Sequence, residues 1–204
     1  MNFKLYVITN QSISQGKSNL EVVKEAIAGG ADIIQLREKN MSAKELVAMG
    51  IELKKITARK GIPLIVNDRV DIALAINANG VHLGQDDLPI KEARKILGRD
   101  KIIGISTHSL EQAKEAEANG ADYIGVGPVF ATQTKPDYTP VGLDLVKKVS
   151  NEVNIPFVAI GGIKIDNVGQ VLNVGVDRVA VVSGIVAADN VKLATKGYYE
   201  KISK

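Results

Sequence analysis

The feature that most constrains the fold is a rhythm: short apolar runs alternate with amphipathic stretches along the whole chain, with little between them. The runs cover positions 5–8, a segment opening at Ile33-Ile34, 63–66, 80–83, 102–105, 123–126, 157–160 and 177–182. They are too short for helices, and they do not alternate polar with apolar as a half-solvated strand would. They therefore read as parallel strands covered on both faces. Helix starts lie between them. Ser18-Asn-Leu-Glu21 and Ser42-Ala-Lys-Glu45 have capping-box spacing, Ser109 precedes a third helix, and Pro89 suits a first turn. Further helices are expected over 70–76 and 143–149, with a lysine-rich one at the end of the chain. A glycine before a strand recurs at Gly30-Ala-Asp32, Gly80-Val-His82, Gly120-Ala-Asp122 and Gly175-Val-Asp177, as expected of helix C-caps that turn the chain into the next strand. These glycines and aspartates are assigned no chemistry.

About eight strand–helix units in 204 residues specify a single-domain α/β fold over 1–204, the (β/α)8 TIM barrel. A doubly wound open sheet is the runner-up, but its first turn normally carries a glycine-rich fingerprint, and Thr9-Asn-Gln-Ser12 does not.

Composition removes several function classes. The 26 basic and 23 acidic residues nearly balance, and three Phe and five Tyr are too scattered for a base-stacking platform, so nucleic acid is not an expected partner. Without cysteine there is no disulfide, no thiolate nucleophile and no cysteine-held metal. Any metal must rest on carboxylates or on His82 and His108. The N-terminal residues lack the apolar region of a signal peptide, and no apolar run approaches membrane-spanning length. A cytoplasmic enzyme of small molecules is expected, with no membrane partner and with a homo-oligomer left open.

A barrel carries its active site at the C-terminal ends of its strands, so polar residues there count as candidates. The strand ends supply Gln35, Arg37, Lys39, Asn67, Asp68, Asp87, Ser106, His108, Thr132, Thr134, Lys135, Gly162 and Ser183. Three cations stand among hydroxyls and glycine amides, a set suited to more than one anionic group. Asp68 and Asp87, on adjacent strands among those cations, suit a hard ion such as Mg²⁺ shared with phosphate oxygens. The loop over 127–137 holds Thr132, Thr134 and Lys135 among prolines, an anion-binding inventory in a stiffened segment. His82, inside a strand, reads as a satisfied structural histidine; His108 reads equally as packing or chemistry. Two anion sites, a metal and no evident nucleophile point to phosphoryl or pyrophosphate chemistry, in which the protein positions groups and neutralises charge.

In order, Gln35-Leu-Arg-Glu-Lys39, Asn67-Asp68, Gly84-Gln-Asp-Asp87, Gly127-Pro-Val-Phe-Ala-Thr-Gln-Thr-Lys135, Ala159-Ile-Gly-Gly-Ile163 and Val182-Ser183 closely resemble the thiamine-phosphate synthase (thiamine-phosphate pyrophosphorylase) family over nearly the whole chain. The resemblance implies a transferase that joins hydroxymethylpyrimidine diphosphate to thiazole phosphate with Mg²⁺, by dissociative loss of pyrophosphate. It implies that Gln35, Leu36, Arg37, Glu38, Lys39, Asn67, Ser106 and Lys135 hold the pyrimidine diphosphate. Thr132, Gln133, Thr134, Gly162, Val182 and Ser183 would hold the thiazole phosphate, and Asp68 and Asp87 the metal. Lys135, Arg37, Lys39 and Ser106 would be catalytic. The sister thiazole tautomerases share the barrel, the Ser106-x-His108 pattern and the Gly-Gly and Ser-Gly phosphate site, but their metal aspartates and Thr-x-Thr-Lys loop are eroded. A non-catalytic phosphate-ligand sensor is a third alternative. Thr9-Asn10, where the family more often has aspartate, and Ser183-Gly184, where Ser-Ala is usual, depart from the pattern.

Overall fold

The computed structural model describes residues 3–133 and 139–203. Among them, eight strands close into one parallel barrel in chain order: β1 (Leu5–Ile8), β2 (Ile33–Leu36), β3 (Leu64–Asn67), β4 (Gly80–Leu83), β5 (Ile102–Thr107), β6 (Tyr123–Val126), β7 (Phe157–Ile160) and β8 (Val179–Val181). The last strand returns to the first, Leu5 pairing with Val179 and Val7 with Val181. Closure removes both sheet edges. Around the barrel lie α1 (Asn19–Ala28), α2 (Ala43–Ala58), α3 (Val70–Ala75), α4 (Ile90–Leu97), α5 (Leu110–Ala118), α6 (Gly142–Glu152), α7 (Val168–Asn173), α8 (Ser183–Val186) and α9 (Val191–Ile202). The capping boxes form at Ser18–Glu21 and Ser42–Glu45, and the Ser109 side chain accepts from the Gln112 amide.

The unbroken apolar runs follow from two buried faces. On β1, Leu5 and Val7 pack outward against the helices while Tyr6 and Ile8 point into the barrel. The inner set continues with Ile33, Ile65, Tyr123, Val158 and Ala180, and Phe3 packs against it. Helices α7 and α8, of six and four residues, were not expected from the sequence. Helix α8 is a single turn, too short for helical periodicity to register.

At Asp32 and Asp122 the strand-entry repeat is a structural clamp, and its second copy is shifted. The Asp32 amide donates to the Leu5 carbonyl (2.9 Å) while Asp32 Oδ2 accepts from the Leu5 amide (3.0 Å). Asp122 forms the same two-bond ring with Ile103, at 2.8 and 2.7 Å. On the way into β4 the ring is made by Asn79 with Leu64, at 2.9 and 3.0 Å. The equivalent of Gly30-Ala-Asp32 is therefore Asn77-Ala-Asn79, with Asn77 at φ +50°, and Gly80-Val-His82 is the strand that follows. Asparagine replaces glycine there because it tolerates the left-handed region better than most residues.

Candidate active site

The polar strand ends meet at one mouth, in two adjoining compartments. The first is a cleft with an apolar wall of Ile160, Ile163, Ala180 and Val182 and a polar rim of Arg37, Ser106, His108, Thr132, Gly162 and Ser183. Its back is built by the extension of β6 along the end of β7. The Val129 amide donates to the Ile160 carbonyl (2.9 Å) and the Phe130 amide to the Gly161 carbonyl (3.0 Å). Only glycine fits the turn beneath: at Gly162, φ is +65°, and an added Cβ would lie 2.5 Å from the Ala131 carbonyl oxygen. Beside it, Ser183 and Gly184 open α8 ahead of its first helical hydrogen bonds, which the Ile185 and Val186 amides make to the Val182 carbonyl at 3.1 and 2.8 Å. Loops after the seventh and eighth strands plus a short extra helix make the anion-binding arrangement common in this fold. His108 Nδ1 meets the Gly127 carbonyl at 2.5 Å, and its amide donates to Gln112 Oε1 at 2.7 Å.

The second compartment lies over β2, β3 and β4. Asp68, at φ +60°, is tied to β4 by its amide, which donates to the His82 carbonyl at 2.9 Å. Lys39 Nζ reaches Asp68 Oδ2 at 2.5 Å, beside Asn67. Asp87 folds back so that its Oδ2 accepts from the Gly84 amide at 2.6 Å. The two carboxylates sense one another. Burial raises the Asp68 group, but hydrogen bonding with Lys39 and Asp87 and the charges of Lys39 and Arg37 outweigh it and hold Asp68 below the usual carboxylate range. Burial lifts Asp87, the Gly84 amide opposes this, and Asp68 pushes it further, so Asp87 lies above its ordinary value. Two close carboxylates that cannot both ionise freely are a site for positive charge. Among the described residues no three His, Asp or Glu side chains cluster as metal ligands. The Asp68–Asp87 pair by itself could serve a cation such as Mg²⁺, which takes one or two carboxylates and fills its remaining positions with water and substrate oxygens.

The other candidates fall at or beside these compartments. Arg37 rims the first, and its amide donates to Thr9 Oγ1 at 3.0 Å. Leu36 is buried in the outer core, and the Glu38 carboxylate accepts from the Gln11 amide at 3.1 Å, so both hold the segment that presents Arg37 and Lys39. Gln133 is exposed. Thr134 and Lys135 lie outside the described residues. Gln85, not singled out in the sequence, donates from Nε2 to the Ser106 carbonyl at 2.6 Å and joins the β4 loop to β5. His82 is indeed satisfied within the barrel, but one of its partners is the candidate Ser106, at 2.9 Å.

A family model described as thiamine monophosphate synthase matches residues 5–185. The thiamine-phosphate synthase of Shouchella clausii is 54% identical over 195 residues, covering 95% of this chain and 93% of that protein. The thiamine-phosphate synthase of Halalkalibacterium halodurans is 53% identical over 192 residues, 94% and 91% of the two chains. Among solved structures, the thiamine phosphate pyrophosphorylase from Pyrococcus furiosus superposes with a TM-score of 0.92 at 44% identity, covering 98% of this chain and 96% of that one.

Proposed function

This chain belongs to the thiamine monophosphate synthase family, and from that premise we propose how its mouth divides the work of condensing two phosphorylated substrates. The chain is a transferase of thiamine biosynthesis that makes thiamine phosphate. Its substrates are 4-amino-2-methyl-5-hydroxymethylpyrimidine diphosphate and 4-methyl-5-(2-phosphoethyl)thiazole, and pyrophosphate is the second product. The biosynthetic reaction is the ground for reading it as a cytoplasmic enzyme; among the described residues no helix is long and apolar enough to cross a membrane.

The observation that carries this division is the adjacency of the two compartments, with Arg37 on the cleft rim and its charge felt at Asp68. The diphosphate lies across the second compartment, gripped by Arg37, Lys39 and Lys135, with Gln35, Asn67 and Ser106 toward the pyrimidine and the Leu36 and Glu38 backbone between them. The thiazole ring lies on the apolar wall of the first, its phosphate against Thr132, Gln133, Thr134, Gly162, Val182 and Ser183. Asp68 and Asp87 would hold Mg²⁺, which when bound neutralises charge on the diphosphate. The protein's cations stabilise the departing pyrophosphate as the pyrimidine methylene bond breaks. The cleft holds the thiazole nitrogen in line to capture that methylene, so no protein nucleophile is required.

Incubation with both substrates and Mg²⁺ is expected to yield thiamine phosphate and pyrophosphate in equal amounts. No product despite binding of both substrates would overturn the assignment.

A further inference from the structure

Five polar side chains from five strands form one continuous chain through the apolar interior of the barrel. Gln35 Nε2 donates to the Tyr6 hydroxyl at 2.7 Å, and Tyr6 and Tyr123 hydroxyls meet at 2.9 Å. Tyr123 meets His82 Nδ1 at 2.9 Å, and His82 Nε2 meets Ser106 Oγ at 2.9 Å. Room is made for it by absent side chains. A Cβ on Gly104 would stand 2.1 Å from Tyr123 Cζ, and one on Gly125 would stand 3.3 Å from His82 Cε1. Burial pushes both phenols well above their ordinary pKa, so each keeps its hydrogen and can donate.

The direction of such a chain is set at its end. An amide nitrogen can only donate, so Tyr6 accepts from Gln35 and turns its own hydrogen to Tyr123. Tyr123 then gives its hydrogen to His82 Nδ1, which must be bare. A neutral imidazole carries its one hydrogen on the other nitrogen, so His82 Nε2 donates to Ser106 Oγ. The Ser106 hydrogen is left to point toward the mouth. We propose that the Gln35–Tyr6–Tyr123–His82 chain is a positioning relay that holds His82 as the Nε2-protonated neutral tautomer and presents the Ser106 hydroxyl to the pyrimidine substrate as a hydrogen-bond donor. This rests on the reading that places Ser106 at the pyrimidine diphosphate. Tyr6, Tyr123 and His82 act through Ser106 and do not touch substrate.

The tautomer is read directly by nitrogen NMR of the ¹⁵N-histidine-labelled protein, which has only two histidines, with assignment from His82→Asn. A bare Nδ1 and a protonated Nε2 are expected. Hydrogen on Nδ1, in a neutral or charged ring, reverses the chain and overturns the proposal, whether or not thiamine phosphate is formed. Kinetics give the second arm. Tyr123→Phe is expected to raise KM for the pyrimidine diphosphate by roughly ten-fold, leave KM for the thiazole phosphate unchanged, and add nothing in a Ser106→Ala background. Equal losses toward both substrates, or an undiminished loss on top of Ser106→Ala, would mean that the chain only supports the core. If Tyr123→Phe does not fold, the NMR arm decides on the unsubstituted protein. Failure of the wild type to form thiamine phosphate would sink the functional reading and leave the tautomer result standing.

Discussion

The two ends of the barrel use the same residue types for opposite purposes. At the strand entries, Asp32, Asn79 and Asp122 direct an oxygen to the amide of a neighbouring strand, and Arg94 Nη2 adds a contact of 2.6 Å to Asp122. These oxygens are satisfied by groups that the fold itself leaves unpaired. At the strand exits, Asp68 and Asp87 face one another and a half-exposed lysine, one on left-handed backbone and both displaced from ordinary acidity. The entry oxygens only complete the backbone's bonding, whereas Asp87, though it too accepts from a backbone amide, still faces the Asp68 charge, and that residual repulsion can be relieved by a ligand cation.

The sharpest break between the ends is expected in turnover. Lys135→Ala should lower kcat on the order of a hundred-fold or more, the usual cost of losing a preorganised transition-state donor, with no loss of melting temperature. A near-normal rate would remove that lysine from the mouth's machinery. Asp122→Ala should do the reverse. Leaving the Ile103 amide without its acceptor should cost about 1–3 kcal/mol, seen in chemical denaturation, while kcat per folded molecule stays unchanged. An activity loss without a stability loss would abolish the distinction. Asp87→Asn should raise the Mg²⁺ concentration for half-maximal rate by about ten-fold or more with the melting temperature preserved. A parallel fall in stability would make Asp87 another clamp.

The smallest effect belongs to the helix starts. Hydrogen bonds from the Ser42 side chain and backbone hold the Glu45 carboxyl below its ordinary value of 4.5. A depressed folded pKa gives stability that is present above the unfolded value and is lost as pH falls through the folded one. The melting-temperature gap between wild type and Glu45→Ala should therefore be largest near neutrality and shrink below pH 4.5. A gap that does not change with pH would assign the effect to helix propensity alone.

The barrel was legible because its strands are short runs buried on both sides, and β1, β4, β6 and β7 begin and end where the apolar runs do. The same property hid the interior. When both faces are apolar, alternation does not tell which residues point inward, so nothing marked Tyr6, Tyr123 and His82 as neighbours. Gly104 and Gly125 carried the available signal, since glycine inside a strand marks a close approach. Arg37, Asp68, Asp87 and Ser106 were legible because the fold confines polar strand ends to one mouth. Gly84 and Gln85 stood inside a quoted motif, but their bonds to Asp87 and Ser106 were not legible, since backbone capture and side-chain bridging leave no pattern in composition.

The long loop after β6 leaves and rejoins the barrel at one place: the Val141 amide donates to the Pro128 carbonyl at 2.8 Å, and residues up to Ala131 are pinned over Gly162. This clasp is made wholly by residues on its two sides, Pro128 to Ala131 and Val141, and by Gly162 beneath them. A change of loop length is expected to add little entropic cost of closure and to leave strand register alone, because both sides of the clasp belong to the barrel. The barrel's stability and the loop's chemistry are thereby separated: residues between the two sides of the clasp can be changed for their effect on the mouth without touching what closes the fold.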